Sequence, residues 1–324
     1  MELVDKMLAG NDASLARLIT LVEKEAPEVP QIMSRIYPSL GGAHSVGFTG
    51  PPGAGKSSLV DRLTAAIRAK GFGVGIIACD PSSPFSGGAV LGDRIRMQQH
   101  YLDGGVFIRS LATRDSRGGL ARAARGAFKL MDAFGKDYVL IETVGVGQTE
   151  LDIVDAADTT VVILVPEAGD AIQTMKAGLL EIADIFVVNK ADRDGADALA
   201  VELEKMVNQS PKQEWWQVPV IMTQAVKDVG TEELLESILK HREALEQTGR
   251  MALLRGRRRR GEFLQTIQQR LLSRLLKLAD KDGGIKAALE GVERGEIDPY
   301  SASMEILSNK ELLHHLLAEL EQEE

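Results

Sequence analysis

Residues 50–57 constrain the fold of this chain more than any other segment. They read G-P-P-G-A-G-K-S and match the phosphate-binding pattern G-x-x-x-x-G-K-[ST] at every fixed position. Residues 44–49 (H-S-V-G-F-T) predict a short buried strand before this loop, and residues 58–69 predict an amphipathic helix after it. Because a glycine-rich turn and a helix N-terminus both point backbone N–H groups at an anion, the segment predicts a nucleotide phosphate site.

Residue types within the loop suggest a role for individual positions. Lys56 is expected to reach the β- and γ-phosphate oxygens and to stabilise their charge during hydrolysis, while Ser57 is expected to ligate magnesium. The residues expected to contact the nucleotide phosphates are Gly50, Gly53, Ala54, Gly55, Lys56, Ser57 and Ser58.

Apolar runs that alternate with helical patterns predict the fold class between residues 41 and 248. After the first strand these runs occupy residues 74–79, 105–108, 138–141, 160–165, 185–188 and 218–222. Nearly continuous apolar character suits strands that are covered on both faces. The pattern therefore predicts an α/β fold with a doubly wound, mainly parallel sheet, whose ligands bind at the carboxyl ends of the strands.

We call residues 41–248 the P-loop domain. The sequence before it and the sequence after it predict helices alone. Residues 1–40 form a predicted N-terminal helical arm, and residues 249–324 form a predicted C-terminal helical region. No strand remains in the C-terminal region to cover the apolar stripe that begins at Phe263 and ends at Leu278. These helices must therefore pack on one another, on the main domain or on a second subunit, and we favour a homodimer.

The tetrapeptide N-K-A-D at residues 189–192 predicts guanine rather than adenine specificity. It follows the apolar run 185–188 and so lies at the carboxyl end of a strand. The carboxylate of Asp192 can accept both N–H groups on the guanine edge, whereas adenine presents an acceptor there and would leave Asp192 unpaired. Asn189 and Lys190 complete the motif. An ordinary Asx turn is the alternative reading of these four residues taken alone.

Gln224 and Ala225 follow the next predicted strand. GTP-binding proteins commonly carry a Ser/Thr-Ala pair at this place, and its backbone N–H meets the guanine carbonyl. Gln224 departs from that pattern. Since the important donor belongs to the backbone, we expect the contact to be kept while its side-chain support changes.

Oxygen-bearing side chains near other strand ends are candidate magnesium ligands, because this ion prefers oxygen and usually keeps several waters. The candidates are Ser57, Asp80, Asp93 and Glu142. For Asp80 and Asp93, a capping or turn role is an open alternative. Cys79 is the only cysteine, so no disulfide within the chain is possible and no zinc or iron–sulfur ligand set is predicted.

Composition limits the partners and the compartment that we expect. A formal net charge of −9 argues against bulk nucleic acid as a partner, and the arginine run at 255–260 is interpreted as a solvated helix start or a partner-binding patch. The chain has neither a basic N-terminal leader nor an apolar run near the roughly 18 residues of a membrane span. A cytoplasmic protein without membrane contact is therefore expected.

Several of these segments together resemble the MeaB/ArgK family of P-loop GTPases, whose human member is the MMAA protein. The resemblance rests on the glycine-rich segment 50–58, on C-D-P-S-S-P at 79–84 with G-D-R at 92–94, and on E-T-V-G-V-G-Q-T-E at 142–150. It also rests on N-K-A-D and on the arginine run at 255–260 that opens a long predicted helix. It covers nearly the whole chain, and the second and third of these segments are more specific to the family than the nucleotide motifs.

The resemblance implies a GTPase that acts as a chaperone for an adenosylcobalamin-dependent acyl-CoA mutase, typically methylmalonyl-CoA mutase. Such proteins couple GTP binding and hydrolysis to cofactor delivery and protect the mutase from inactivation. The family pattern also implies slow hydrolysis that the mutase accelerates, magnesium held by Ser57, Asp80, Asp93 and Glu142, and a homodimer formed through the C-terminal helices. No D-x-H-x-x-G stretch surrounds any histidine, so cobalamin is expected to be carried by the partner rather than by this chain.

Other functions remain open at this point. A nickel metallochaperone GTPase would be expected to show a His-rich tract or Cys-His ligands, and a kinase or ATPase linked to amino-acid transport would not need N-K-A-D. A GTP-sensing adaptor that does not hydrolyse GTP is harder to exclude, because the residue that positions the attacking water is uncertain. Gln148 and Lys176 are the catalytic candidates for that role, and either could instead contact the partner.

Overall fold

The structure, a computed structural model, describes residues 2–81, 97–113, 119–143, 157–168, 182–209, 215–279 and 283–309. Seven strands form one sheet. They are β1 (His44–Thr49), β2 (Val74–Pro81), β3 (Val106–Thr113), β4 (Tyr138–Glu142), β5 (Thr159–Leu164), β6 (Ile185–Asn189) and β7 (Val220–Thr223). Their order is β3-β2-β4-β1-β5-β6-β7, and every neighbouring pair is parallel. The predicted parallel α/β fold is confirmed.

Ten α-helices lie within the described residues. They are α1 (Glu2–Leu8), α2 (Asp12–Glu23), α3 (Val29–Ile36), α4 (Lys56–Ala69), α5 (Gly119–Ala133), α6 (Ala196–Gln209), α7 (Thr231–Gln247), α8 (Arg250–Ala279), α9 (Gly283–Glu293) and α10 (Pro299–Ser308). The chain divides into two compact units, Met1–Leu254 and Arg255–Glu324. None of the described helices is both long and apolar enough to cross a membrane.

Helices cover both faces of the sheet in the first unit. On one face, Leu59 and Leu63 of α4 and Leu234 of α7 share a buried cluster with side chains of β1 and β5. On the other face, α5 and the N-terminal helices α1, α2 and α3 pack together over β2 and β4. Burial on both sides explains why the strands read as continuous apolar runs.

Strand β3 extends further than its apolar run predicts. The run stops at Ile108, yet the pairing with β2 continues through Arg109 to Thr113. The guanidinium of Arg109 donates to the Glu23 carboxylate at 2.8 Å and to the hydroxyl of Thr20 at 3.0 Å, both on α2. Because this charge is paired by a helix far away in sequence, it interrupts the apolar pattern without ending the strand.

The approach to β1 is fixed by a buried carboxylate. Asp132, near the end of α5, accepts the backbone N–H groups of Gly41, Gly42 and Ala43 at 2.6, 3.0 and 2.8 Å. These bonds satisfy three consecutive donors and set the direction in which the chain enters the sheet. At its carboxyl end the strand leads directly into residues 50–57, which we call the glycine-rich loop.

Candidate nucleotide-binding site

A cavity of about 570 Å³ lies at the carboxyl ends of the central strands. It is lined by residues of the glycine-rich loop, by the ends of β2 and β4, and by the loops that follow β6 and β7. The lining residues are Pro52, Gly53, Gly55, Lys56, Ser57, Ser58, Cys79, Glu142, Thr143, Asn189, Lys190, Asp192, Arg193, Gln224, Ala225, Val226 and Lys227. This is the edge at which open parallel sheets bind their ligands.

Two glycines of the loop are required by close approach as well as by backbone conformation. Gly50 has a φ of 143°, and a Cβ there would collide with the carbonyl oxygen of Ile163 in β5. Gly55 has a φ of 87° and caps the N-terminus of α4, and a Cβ there would collide with the side-chain amide of Asn189. Any side chain at either position would therefore push the loop away from its neighbours.

Lys56 is held inside the loop that precedes it. Its Nζ donates to the carbonyl oxygens of Gly50 at 2.7 Å and Pro51 at 3.1 Å, and only 6% of the residue is exposed. A buried ammonium needs such acceptors, because burying a charge without partners is costly. The contacts keep one positive charge at the centre of the loop, where an anion would be bound.

Ser57 and Glu142 form a hydrogen-bonded pair at the floor of the cavity. The Ser57 hydroxyl, in the first turn of α4, donates to Glu142 Oε1 at 2.6 Å, and both residues are buried. Glu142 is brought there because β4 pairs with β1, with Phe48 opposite Glu142. Because the Ser57 hydroxyl is the donor in this hydrogen bond, its oxygen lone pairs stay available. This pair of hard oxygen ligands fits a magnesium ion beside bound phosphates.

The other two predicted magnesium ligands are less well placed by the structure. Asp80 lies in β2 with its backbone opposite Ala112, while its side chain and the whole of Asp93 fall outside the described residues. Gln148 and Lys176 also fall outside them. In the part of the chain that is described, no group of three or more His, Cys, Asp or Glu side chains could hold a metal ion.

Asn189 connects three parts of the cavity. Its Nδ2 donates to the carbonyl oxygen of Ala54 in the glycine-rich loop at 2.8 Å. Its Oδ1 accepts the hydroxyl of Thr223 at 3.0 Å and the backbone N–H of Ala225 at 3.2 Å. These bonds are buried, so the asparagine side chain fixes the spacing between the glycine-rich loop and the loop after β7.

Lys190 and Asp192 lie beside this asparagine, at the mouth of the cavity. Lys190 has a φ of 58°, an uncommon conformation for a residue other than glycine, and one that is found often at binding sites. The Asp192 carboxylate lies 3.5 Å from Nζ of Lys227, and both side chains are exposed. The neighbouring Arg193 forms an ion pair with Glu167. Asp192 thus faces solvent at the cavity rim, where it can accept N–H donors from a ligand.

Gln224 and Ala225 begin a small closed turn of residues 224–229, which we call the β7 loop. The backbone groups of Gln224 and Val229 bond to each other in both directions, at 3.0 and 3.3 Å. The backbone N–H of Ala225 already donates to Asn189 Oδ1. A guanine carbonyl placed against Ala225 would accept from this same N–H group. The side chain of Gln224 lines the cavity in place of the usual Ser or Thr.

Sequence reasoning did not single out several lining residues. These are Pro52, Cys79, Thr143, Arg193, Val226 and Lys227. Each lies within three residues of a predicted site residue, so the rule that ligands collect at strand ends could have found them. The hydroxyl of Thr143 is buried, with no hydrogen-bond partner among the described residues.

The family model and the related proteins that this chain matches agree on one family. The family model described as methylmalonyl-CoA mutase-associated GTPase MeaB matches residues 15–280. A Pyrococcus abyssi protein named only as a GTPase is 50% identical over 311 residues, which cover 94% of this chain and 95% of that protein. The Mus musculus protein named methylmalonic aciduria type A homolog, mitochondrial, is 32% identical over 286 residues, covering 82% of this chain and 68% of that protein. A crystal structure described as LAO/AO transport system kinase superposes with a TM-score of 0.71 at 26% identity, covering 94% and 95% of the two chains.

Proposed function

The chain belongs to the MeaB family of P-loop GTPases, and we propose that it hydrolyses GTP in the cavity described above in the service of an adenosylcobalamin-dependent acyl-CoA mutase. One observation carries the nucleotide assignment: Asn189 bonds to the glycine-rich loop and to the β7 loop at once. The phosphate-binding motif and the base-reading motif therefore face one cavity at a fixed spacing, as one nucleotide requires.

The proposed binding roles follow from charge and hydrogen-bond capacity. The phosphates bind to the backbone N–H groups of Gly53 to Ser58 and to the N-terminus of α4. Asp192 accepts the two N–H groups of the guanine edge, and Lys190 packs its stem beside the base. Adenine would place a hydrogen-bond acceptor against the Asp192 carboxylate. A site that requires an N–H donor at such a position discriminates against a ligand without one by roughly 10⁴-fold.

The proposed chemistry is charge stabilisation at the transferred phosphoryl group. Lys56 keeps one positive charge at the β- and γ-phosphates as charge moves toward the leaving oxygen. The residues proposed to hold Mg²⁺ are Ser57, Asp80, Asp93 and Glu142, and the ion would supply further charge neutralisation at the phosphate oxygens. Gln148 and Lys176 remain the candidates that orient the attacking water.

The nucleotide assignment is tested by steady-state turnover of GTP and ATP with magnesium. We expect turnover with GTP and almost none with ATP. Lys56→Ala should lower the single-turnover rate at saturating GTP by about 10²-fold, the scale of losing one preorganised charge contact. Lys70→Ala is the matched control, because Lys70 ends the same helix and pairs with Glu232 on the surface at 2.7 Å. Equal turnover of ATP and GTP by the unmodified chain would contradict the assignment.

The mutase is proposed as the partner from the family description and from the name of the mouse relative. Cobalamin itself is proposed to stay with the mutase, since the chain lacks a D-x-H-x-x-G stretch. If the nucleotide state changes the affinity for the mutase, the mutase must change the nucleotide affinity by the same factor. Calorimetric titration of the mutase into the GDP form and into the form bound to a non-hydrolysable GTP analogue tests this. The two affinities should differ, and absence of binding in both states would remove the mutase as partner.

A homodimer through α8 is also proposed. Phe263, Ile267 and Leu271 recur every four residues along α8, and between 37% and 64% of each is exposed. A row of large apolar side chains on one helix face is stabilised when a second apolar surface covers it.

A further inference from the structure

Arg62 joins the helix that starts in the glycine-rich loop to the loop that follows β7. It lies in α4, and its side chain is partly buried. Its Nε donates to the carbonyl oxygen of Ala225 at 3.2 Å, and its Nη2 donates to that of Val226 at 3.5 Å. One guanidinium therefore holds two consecutive carbonyl groups of the β7 loop.

The internal hydrogen bonds of the β7 loop fix its shape but not its distance from the phosphates. Gln224 and Val229 close the turn, and the N–H of Lys227 donates to the Gln224 carbonyl at 2.9 Å. The Ala225 carbonyl also accepts the N–H of Asp228, at 3.4 Å. All of these partners lie within the loop, so they would move with it if the loop shifted.

Two residues, Asn189 and Arg62, tie the loop to the phosphate side of the cavity, and both bond to Ala225. The N–H of Ala225 donates to Asn189, whose amide is bonded in turn to Ala54 of the glycine-rich loop. The carbonyl of Ala225 accepts from Arg62. Ala54 lies two residues before α4, and Arg62 lies within α4. These bonds therefore close a ring that runs from the glycine-rich loop through Asn189 and Ala225 to the helix that the loop leads into.

The closed ring has a consequence for base selection. A site rejects the wrong base because that base leaves polar groups of the site without hydrogen-bond partners. The full loss of binding free energy is seen only if those groups cannot move to other partners. A β7 loop held at one side alone could shift away from a mismatched base. A loop held from both sides keeps its donors in place.

We propose that Arg62 is a positioning residue for recognition of the 6-carbonyl of guanine. By holding the β7 loop against α4, it keeps the backbone N–H groups of that loop at a fixed distance from the bound phosphates. The inference rests on the proposed function, because it assumes that guanine occupies the cavity with its 6-carbonyl toward the β7 loop and its 2-amino group toward Asp192.

The test compares Arg62→Met with the unmodified chain, using calorimetric affinities for three nucleotides. GTP is the reference, 6-thioguanosine triphosphate changes only the 6-position, and inosine triphosphate lacks only the 2-amino group. Methionine keeps much of the apolar stem and removes the donors. Arg68→Met is the matched control, because Arg68 lies on the same helix but binds Asp103 and the Phe72 carbonyl instead.

We expect Arg62→Met to weaken GTP binding by about tenfold, the scale of losing a charged hydrogen-bond donor. The preference for GTP over the 6-thio nucleotide should shrink by at least about threefold, while the preference for GTP over the inosine nucleotide stays the same. The turnover rate at saturating GTP should change by less than about twofold, since Lys56 and Ser57 are untouched. Arg62→Lys, which keeps one donor, should recover part of the 6-position preference. Arg68→Met should leave both preferences unchanged.

Several results would overturn the proposal. A wild-type chain that binds GTP and rejects ATP, but binds the 6-thio nucleotide as tightly as GTP, would show that the β7 loop does not read the 6-position. Equal loss of both preferences in Arg62→Met, or loss of neither, would reduce Arg62 to a general structural role. Failure of the wild-type chain to prefer GTP over ATP would instead contradict the proposed function itself.

Discussion

The side-chain amide of Asn189 donates to the carbonyl oxygen of Ala54 at 2.8 Å, across 135 residues of sequence. This buried bond joins the last residue of β6 to the glycine-rich loop. A net contribution of about 1 kcal/mol is typical for such a bond, and more is lost when one partner is left unpaired. Its larger effect is geometric, because it sets how far the phosphate-binding groups lie from the base-reading groups.

Gly55→Ala should break this relationship without altering Asn189. The new Cβ would collide with the Asn189 amide, and the left-handed backbone adds about 1–2 kcal/mol of its own. We expect GTP affinity to fall by at least about tenfold and the free energy of unfolding to fall by more than about 2 kcal/mol. Gly135→Ala is the control, because Gly135 shares the positive φ, 94°, but has no atom near its Cβ position. If urea titrations gave the same loss of unfolding free energy for the two variants, the collision with Asn189 would not contribute to stability.

Asp192→Asn should change which base is accepted. An asparagine side chain can present one N–H donor and its acceptor oxygen to the base edge, so it suits xanthine, whose 2-position carries a carbonyl in place of the amino group. We expect GTP affinity to fall and xanthosine triphosphate to become the preferred nucleotide. Asp194→Asn is the control, because Asp194 lies in the same turn but outside the cavity lining. If Asp192→Asn still preferred GTP over xanthosine triphosphate as strongly as the wild type does, the base would not bind at Asp192.

Stability should fall with acid because of His241. This residue of α7 bonds to the Thr159 hydroxyl through Nδ1 at 2.8 Å, and the same hydroxyl bonds to His44 Nε2 at 2.8 Å. Burial lowers the pKa of His241 from 6.5 to about 4. The folded state therefore resists protonation, so stability is complete above pH 6.5 and is lost as pH falls toward 4. The full loss is on the order of 3 kcal/mol.

Urea unfolding at pH 7 and pH 4.5 measures this loss. Trp215 and Trp216 supply the fluorescence signal, since their rings lie 5.6 and 4.8 Å from the His241 ring. His241→Asn keeps a polar atom near Nδ1 but does not titrate, so its stability should fall less between the two pH values. His44, Asp158 and Asp184 stay in place in both proteins, so they supply a common background. The same pH dependence in both would exclude His241 as the cause.

The proposed dimer depends on the apolar face of α8. Ile267→Asp introduces a charge into that face and should weaken association by about a hundredfold or more, since an unpaired charge is costly to bury. The control is Ser273→Asp on the same helix, because Ser273 is exposed and has Gln269 and Lys277 as its neighbours four residues before and after. Light scattering at micromolar concentration should show a dimer for the wild type and the control, and a monomer for Ile267→Asp. A monomeric wild type would contradict the proposal.

The fold was predictable from sequence because its strands are buried on both faces. β4, β5 and β6 are buried at every residue, so their apolar runs mark them directly. β3 shows the limit of this reasoning, because the charge of Arg109 is satisfied by Glu23, 86 residues earlier. No local pattern contains that partner.

The candidate site was predictable where a motif fixes residue spacing, as for Lys56, Ser57 and Asn189. Glu142 was identifiable because a carboxylate directly after an apolar strand lies at the ligand edge of the sheet. Arg62 was not identifiable, because its acceptors are backbone carbonyls 163 and 164 residues away. A contact of this kind depends on how α4 packs beside the β7 loop, and the residue types in that loop do not indicate it.

GTP turnover with and without an adenosylcobalamin-dependent acyl-CoA mutase from the same organism tests the account most directly. The full-length chain, with magnesium, should hydrolyse GTP slowly alone. Addition of the mutase should raise the rate by about tenfold or more, equivalent to at least roughly 1.4 kcal/mol of transition-state stabilisation. Lys56→Ala should abolish the rise and ATP should not replace GTP. An unchanged rate with every such mutase of that organism, together with no detectable binding in either nucleotide state, would contradict the account.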